Sequence, residues 1–174
     1  MRPSEVLERS HDSAVRIAEI DDEIAELFER IGVQGHSYER HGKNGVLDPM
    51  RKVDDAIDGA VDLERERMEC MTDVMAAWSV LIGLESRAAE LRQQSEDARM
   101  DGDAESSEAL WTEADVADVE TSILAAWAIY GRPVEDICAD LRIDVVACRH
   151  LMTAALVWCD ERGVARLKSC VTYE

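Results

Sequence analysis

The residue types that most often carry out enzyme chemistry form no recognisable catalytic arrangement in this sequence. It contains no Gly-x-x-x-x-Gly-Lys loop, no His-Glu-x-x-His motif and no Gly-x-Ser-x-Gly elbow, the spacings that bind phosphates or zinc or position a nucleophile. His36 and His41 lie close together, but Gly35 and Gly42 flank them, so no helix face presents both to a metal ion. We therefore expect a protein that is not an enzyme and holds neither a cofactor nor a metal.

The cysteines point to packing rather than to redox or metal chemistry. Five is an odd number, and no two of them form a Cys-x-x-Cys pair, which argues against a zinc knuckle or a redox couple. Free cysteines within helical patterns are usually small core residues of reduced, cytoplasmic proteins. The five cysteines are Cys70, Cys138, Cys148, Cys159 and Cys170. Four of them lie within helical patterns, and we make that prediction for these four.

Composition favours an all-α protein. The 174 residues include only three prolines and nine glycines, too few for the many turns of a sandwich or barrel. The 19 Lys and Arg face 38 Asp and Glu, so the net charge is −19, while 47% of residues are hydrophobic. No apolar run reaches the roughly 18 residues of a membrane span, and the first residues do not resemble a signal peptide. We expect a soluble, cytoplasmic protein with no membrane partner.

Residues 1–92 predict a long helical hairpin or coiled coil. The first helix carries apolar residues alternately three and four apart and ends at Gly32. This seam can pair within a bundle or across a homodimer. A glycine-rich loop follows at 32–52, the only net-positive stretch of the chain. The predicted oligomerisation residues of the seam are Ile17, Ile20, Ile24, Leu27 and Ile31.

A second long helix is predicted from about Pro49 to Leu91, followed by an acidic linker at 93–108 that contains Gly102. Met68, Met71 and Met75 form a stripe along this helix. Flexible methionine surfaces sometimes bind partners, but core packing is the more common role and is the one we predict here.

The C-terminal residues, 109–174, predict a three-helix domain. Thr112 and Asp115 have the spacing of a modified capping box that opens a helix. Pro133 is well placed as the first residue of the next helix, and Asp144 as the N-cap of the last. Two short helices joined by such a turn form a helix-turn-helix pattern.

The stretch from Ile123 to Leu156 resembles the C-terminal DNA-binding region of bacterial sigma factors and its phage relatives. The upstream order of helix, glycine-rich loop ending in Asp48-Pro49 and long helix is also similar to small phage transcriptional regulators. The resemblance covers about 35 residues in motif and most of the chain in architecture. Its matching positions are Ile123 and Leu124, Tyr130 and Gly131, Glu135 to Ala139, Leu141 to Asp144, and Ala155 with Leu156.

The resemblance implies a phage or prophage-type transcriptional regulator that binds promoter DNA, RNA polymerase, or both. Its last helix would be the recognition helix, with Val145, Arg149, His150 and Thr153 facing the major groove. Arg149 has the chemistry for a bidentate guanine contact. The cations that would bind backbone phosphates are Arg132, Arg142, Arg162, Arg166 and Lys168.

Charge supports a second hypothesis. Residues 93–120 carry ten acidic residues and one arginine, and the predicted recognition helix is mostly apolar, with Arg149 as its full cation. An acidic helical protein can mimic the charge of DNA and bind a basic nucleic-acid-binding protein, as anti-CRISPR proteins and other inhibitors of host factors do. Trp111, beside the acidic segment, is the tryptophan we expect to be most exposed. A third, weaker hypothesis is the small terminase subunit of a phage packaging motor.

Overall fold

The computed structural model describes residues 2–34 and 49–162, with side chains described in 2–30 and 53–162. These residues are helical apart from short turns and contain no strand, which confirms the all-α prediction for them. Within these ranges no helix combines the length and apolarity needed to cross a membrane. The helices are α1 (Pro3–Gln34), α2 (Pro49–Met100), α3 (Ala104–Ala128), α4 (Val134–Leu141) and α5 (Val145–Arg162).

Helices α1 and α2 pack side by side in opposite directions. Arg9 near the start of α1 bonds Asp73 (3.1 Å), and Arg16 further along α1 bonds Glu66 earlier in α2 (2.7 Å). Ile20, in the middle of the predicted seam, is fully buried within the single chain. It is therefore not available to an intermolecular interface, contrary to the oligomerisation role predicted for it.

The rest of that seam is only partly covered. The side chains of Ile17, Ile24 and Leu27 are half-buried. Leu27 lies against Gly59 of α2, where an added Cβ would meet its Cδ1 atom at 3.6 Å. The side chain of Ile31 falls outside the described residues. The seam thus packs, at least through Ile20 and Leu27, inside the bundle rather than between chains.

One buried core runs through all five helices. The start of α1 is held between the C-terminal helices, because Ser10 donates to the carbonyl of Ala128 (2.7 Å) and Ser4 donates to Asp160 (2.7 Å). Burial of large apolar side chains at this crossing is the main stabilising contribution to the fold. Its members include Leu7, Leu81, Leu84, Ile123, Leu124, Ile137, Cys148 and Met152.

The helix boundaries differ from several predictions. Helix α1 continues through Gly32 to Gln34, and α2 continues past Leu91 to Met100. The segment 93–108 is therefore not a linker but is helical except at residues 101–103. Its Gln, Glu, Ala and Arg residues are good helix formers even though they are polar. The buried hydroxyl of Ser95 donates to the carbonyl of Ser107 (2.7 Å) and fastens α2 to α3.

The predicted helix start at Thr112 is also wrong. Asp103 is the N-cap of α3, and its side chain accepts from the backbone N–H of Ser106 (3.1 Å). Hydrogen bonding from the Ser106 side chain, together with this backbone bond, lowers the pKa of the Asp103 carboxyl. Thr112 lies two turns inside α3 and donates to the carbonyl of Glu108 (2.9 Å), which satisfies its hydroxyl within the helix. An equally good cap lies upstream, so α3 begins there.

The methionine stripe of α2 is not in the core. Met68 is 63% exposed, Met71 37% and Met75 67%. The buried residues of this part of α2, Val74 and Ala77, lie on the face that packs against α1 and the C-terminal helices. Because one helix face is enough to cover α1, the methionines are left on the outside.

Candidate nucleic-acid interface

The turn between α4 and α5 is defined by local hydrogen bonds. Arg142 ends α4 in the left-handed conformation (φ 55°, ψ 39°), and its N–H donates to the carbonyl of Ala139 (3.3 Å). Ile143 follows, half-buried against the core. The carboxylate of Asp144 then accepts from the N–H of Val146 (2.9 Å), confirming Asp144 as the N-cap of α5. Together these bonds fix the direction in which α5 leaves α4.

Helix α4 begins one residue later than the sequence predicts, and no side chain caps its first turn. Pro133 is the N-cap of α4 rather than its first helical residue, and its carbonyl accepts from the N–H groups of Asp136 and Ile137 (both 3.2 Å). Gly131 precedes it with a positive φ of 60°. The pair Gly131 and Pro133 therefore separates α3 from α4, as the sequence pattern predicts.

Three of the four predicted groove-facing residues of α5 are exposed. Arg149, His150 and Thr153 lie on the outer surface. Val145 is instead half-buried against the core, because it shares a helix face with Cys148 and Met152, three and seven residues further on. Val146 takes the outward position and is 62% exposed.

Three of the five predicted phosphate-binding cations lie within the described residues, and two of these three, Arg132 and Arg162, are engaged within the chain. Arg132 pairs with Asp140 at 2.7 Å, and Arg149 pairs with Glu135 at 3.5 Å. The guanidinium of Arg162 lies 4.7 Å from the ring centre of Trp158. Arg142 is exposed and takes part in no ion pair with the described side chains. Arg166 and Lys168 lie outside the described residues.

A groove of about 450 Å³ runs between α5 and the helices α2 and α3. At its base Arg87 bonds Glu120 (2.9 Å) and Glu113 (3.2 Å) and lies 5.2 Å from the ring centre of Trp158. Burial raises the pKa of the Glu120 carboxyl, although the charge of Arg87 opposes the shift. His150 and Thr153 line the groove. The outer face of α5 therefore lies next to the ion pair between Arg87 and Glu120.

The second charged surface lies where α2 meets α3. Arg92 of α2 pairs with Asp115 (3.6 Å) and Asp118 of α3, and its guanidinium lies 5.8 Å from the ring centre of Trp111. Trp111 is 48% exposed and is the most exposed tryptophan of the described chain, as predicted. The acidic side chains exposed around this surface are Glu96, Asp97, Asp101, Asp103, Glu105, Glu108 and Glu113.

The buried thiols are not poised to react. The described cysteines are all free, and Cys138, Cys148 and Cys159 are buried, which confirms the core prediction for these three. Burial raises the pKa of Cys148 to about 11 and that of Cys159 to about 12. A thiol is nucleophilic as the thiolate, so at neutral pH these two remain unreactive.

The described residues hold no group of three or more potential metal ligands. One Glu-x-x-His sequence occurs at Glu8 and His11, a spacing that can bind metal in helical bundles. Here the His11 ring stacks on Trp127 with ring centres 4.6 Å apart, and its Nδ1 lies 2.9 Å from the Trp127 carbonyl oxygen. His11 thus packs α1 against α3. The predicted histidine neighbours, His36 and His41, lie outside the described residues.

Comparison with known proteins identifies no relative. No family model, no curated protein and no solved structure matches the chain.

Proposed function

We propose that this chain is a phage or prophage-type transcriptional regulator in which α4 and α5 form a DNA-binding helix-turn-helix. The observation that carries the proposal is the turn at 142–144, where a left-handed residue and an Asp cap start a helix with outward-facing side chains. Helix-turn-helix proteins read the major groove with the N-terminal residues of the second helix. On α5 those residues are Val146, Arg149 and His150.

The charge around Arg149 is compatible with DNA binding, although the chain as a whole is acidic. The ion pair between Arg149 and Glu135 is about two-thirds exposed on both sides and 3.5 Å long, and such pairs contribute little free energy. Arg149 can therefore exchange Glu135 for a guanine at small cost. Few other cations surround it, so we expect modest affinity with a shallow dependence on salt concentration. Contact with RNA polymerase is a second route by which the same unit can act at promoters.

The test is a fluorescence-anisotropy titration with DNA from around the chain's own gene, at about 50 and 150 mM salt. Arg149→Ala is expected to weaken specific binding by about 10- to 100-fold, because a bidentate base contact is lost. Arg30→Ala is the matched control, since Arg30 is exposed on α1 and, among the side chains that the structure describes, pairs with Glu26 alone. No binding at the lower salt concentration, or equal losses in the two variants, would contradict the proposal.

A second candidate function rests on the acidic surface between α2 and α3. Its exposed carboxylates outnumber its cations, and Trp111 supplies a large apolar side chain among them. Such a surface fits a basic nucleic-acid-binding protein, whose groove the carboxylates would occupy in place of phosphates. Charge-neutral changes at Glu96, Asp97 and Asp101 are expected to weaken capture of that partner, whereas Arg149→Ala is expected to leave it unchanged. The DNA-binding proposal predicts the reverse for DNA affinity, which Arg149→Ala should weaken and the changes at Glu96, Asp97 and Asp101 should not.

A further inference from the structure

Helix α2 carries a second apolar face, about a third of a turn around the helix from its buried residues. The positions of this outer seam alternate four and three residues apart over 26 residues, which is the heptad spacing of a coiled coil. Glu64 is its only charged member. The outer seam consists of Ile57, Val61, Glu64, Met68, Met71, Met75, Trp78 and Ile82.

The outer seam is exposed in the single chain. Six of its seven apolar side chains are 37–67% accessible, and the largest fractions belong to Met68 and Met75. From these fractions the six side chains expose on the order of 600 Å² per copy, which is comparable to the largest apolar patch of a typical monomer. It is also about three quarters of the area that one partner buries in a standard interface. Residues flanking the seam would add the remaining quarter of that buried area.

We infer that the outer seam binds a second copy of the chain, with the two α2 helices antiparallel. Turning the seam about a two-fold axis between Glu69 and Cys70 places every position of one copy opposite a seam position of the other. No layer is left without a partner, as a symmetric dimer requires. The layers pair Ile57 with Ile82, Val61 with Trp78, Glu64 with Met75, and Met68 with Met71 of the second copy.

The side chains favour the antiparallel arrangement over the parallel one. An in-register parallel pair would place Glu64 against its own equivalent, and like charges at one seam layer repel each other. It would also stack two Trp78 side chains in one layer. The antiparallel pair sets the large Trp78 against the small Val61, which evens out the layer volumes. Beside the seam, Asp58 and Arg65 then face the uncharged Ser79 and Thr72 of the second copy.

The first test is directed cross-linking. In a background with Cys70→Ser and Cys170→Ser, the double variant Val61→Cys and Trp78→Cys is oxidised at about 100 μM chain, far above a micromolar Kd. The two positions are about 26 Å apart along one helix, while a disulfide needs Cα atoms within about 7 Å. An antiparallel dimer therefore yields a covalent dimer from the double variant and none from Val61→Cys alone. Cross-linking of Val61→Cys alone would overturn the antiparallel arrangement.

The second test measures mass directly. The unmodified chain is expected to be a dimer by light scattering, and Met68→Glu with Met75→Glu is expected to raise its Kd at least about 100-fold by burying unpaired charges. Both methionines are exposed in the single chain, so circular dichroism should show unchanged helix content. Met100→Glu, also exposed but outside the seam, is the control. A monomer at about 100 μM, or equal behaviour of the two variants, would overturn the inference, and neither measurement involves DNA.

Discussion

Arginine side chains in the described part of this chain are mostly neutralised by carboxylates of the same chain. Arg16 is the clearest case, because it contacts Glu19, Glu23 and Glu66 at 2.7–3.2 Å. These bonds raise the pKa of the guanidinium, and Arg16 in turn lowers the pKa of Glu66. With twice as many acids as bases, an arginine on a helix surface usually has an acid within reach. The surplus carboxylates remain exposed and make the net charge of the surface negative.

The buried thiol of Cys159 links stability to alkaline pH. Its pKa of about 12 in the folded chain lies above the ordinary value of 9.0, so above pH 9 the unfolded chain loses this proton first. Stability is then lost as pH rises towards the folded pKa, by about 1.4 kcal/mol per pH unit for one such group.

We expect urea unfolding to show that Cys159→Ala loses about 2 kcal/mol less stability than the unmodified chain between pH 8 and pH 10.5. The raised pKa of Cys148 adds a similar loss that both chains share. Cys70→Ala is the control, since Cys70 is only half-buried. If the unmodified chain and Cys159→Ala lose stability in parallel, the thiol is not the source.

At the scale of the helices and their turns, two glycines with positive φ have different surroundings. Gly131 has φ 60°, and an added Cβ would lie 3.0 Å from the backbone nitrogen of Val15 in α1. Gly102 has φ 85°, with no atom within 4 Å of an added Cβ. Backbone strain acts at both positions, whereas a steric clash acts only at Gly131.

Gly102→Ala is therefore expected to destabilise the chain by about 1 kcal/mol, and Gly131→Ala by about 2–3 kcal/mol. Thermal or urea unfolding of the two variants measures the difference. Equal losses would show that the approach of α1 to the α3–α4 turn can relax without cost.

The elements that sequence predicted well are those fixed by neighbouring residues. The turn at 142–144 and the separation of α3 from α4 depend on Pro133, Gly131 and Asp144, whose effects act within a few residues. The sequence alone does not locate the start of α3, because Asp103 and Thr112 are both plausible caps and only packing against the preceding helix selects Asp103.

The outward position of the methionines and of Val146 could not be predicted for a different reason. Periodicity shows that a helix has an apolar face but does not tell which of two apolar faces its neighbours cover. For α2 that choice is made by α1, through contacts such as Arg9 with Asp73. The exposure of Arg149 and His150 followed from helix geometry, whereas their acidic neighbours Glu135 and Glu120 came from tertiary packing.

At the scale of the whole molecule, the N-terminal helix is part of the core that supports α5. Leu7 is fully buried in the same cluster as Ile123, Cys148 and Met152. The predicted division into residues 1–92 and 109–174 implies that the C-terminal helices keep their stability without α1. The shared core implies that they do not.

Leu7→Ala is expected to cost about 2–5 kcal/mol and to lower hydrogen-exchange protection of α5 amides as much as that of α2 amides. Phe28→Ala is the control, because Phe28 is 53% exposed on α1. Unchanged protection in α5 would mean that the two regions unfold separately.

The length of α2 sets how this chain moves through solution. Fifty-two residues of helix extend about 78 Å, whereas a compact chain of this size, with a radius of gyration of about 16 Å, is only about 41 Å across. Translational friction grows with the longest dimension, so a single chain should diffuse more slowly than a compact protein of equal mass. It should elute from a sizing column ahead of its mass, near the position of a compact dimer, and sediment more slowly than its mass suggests.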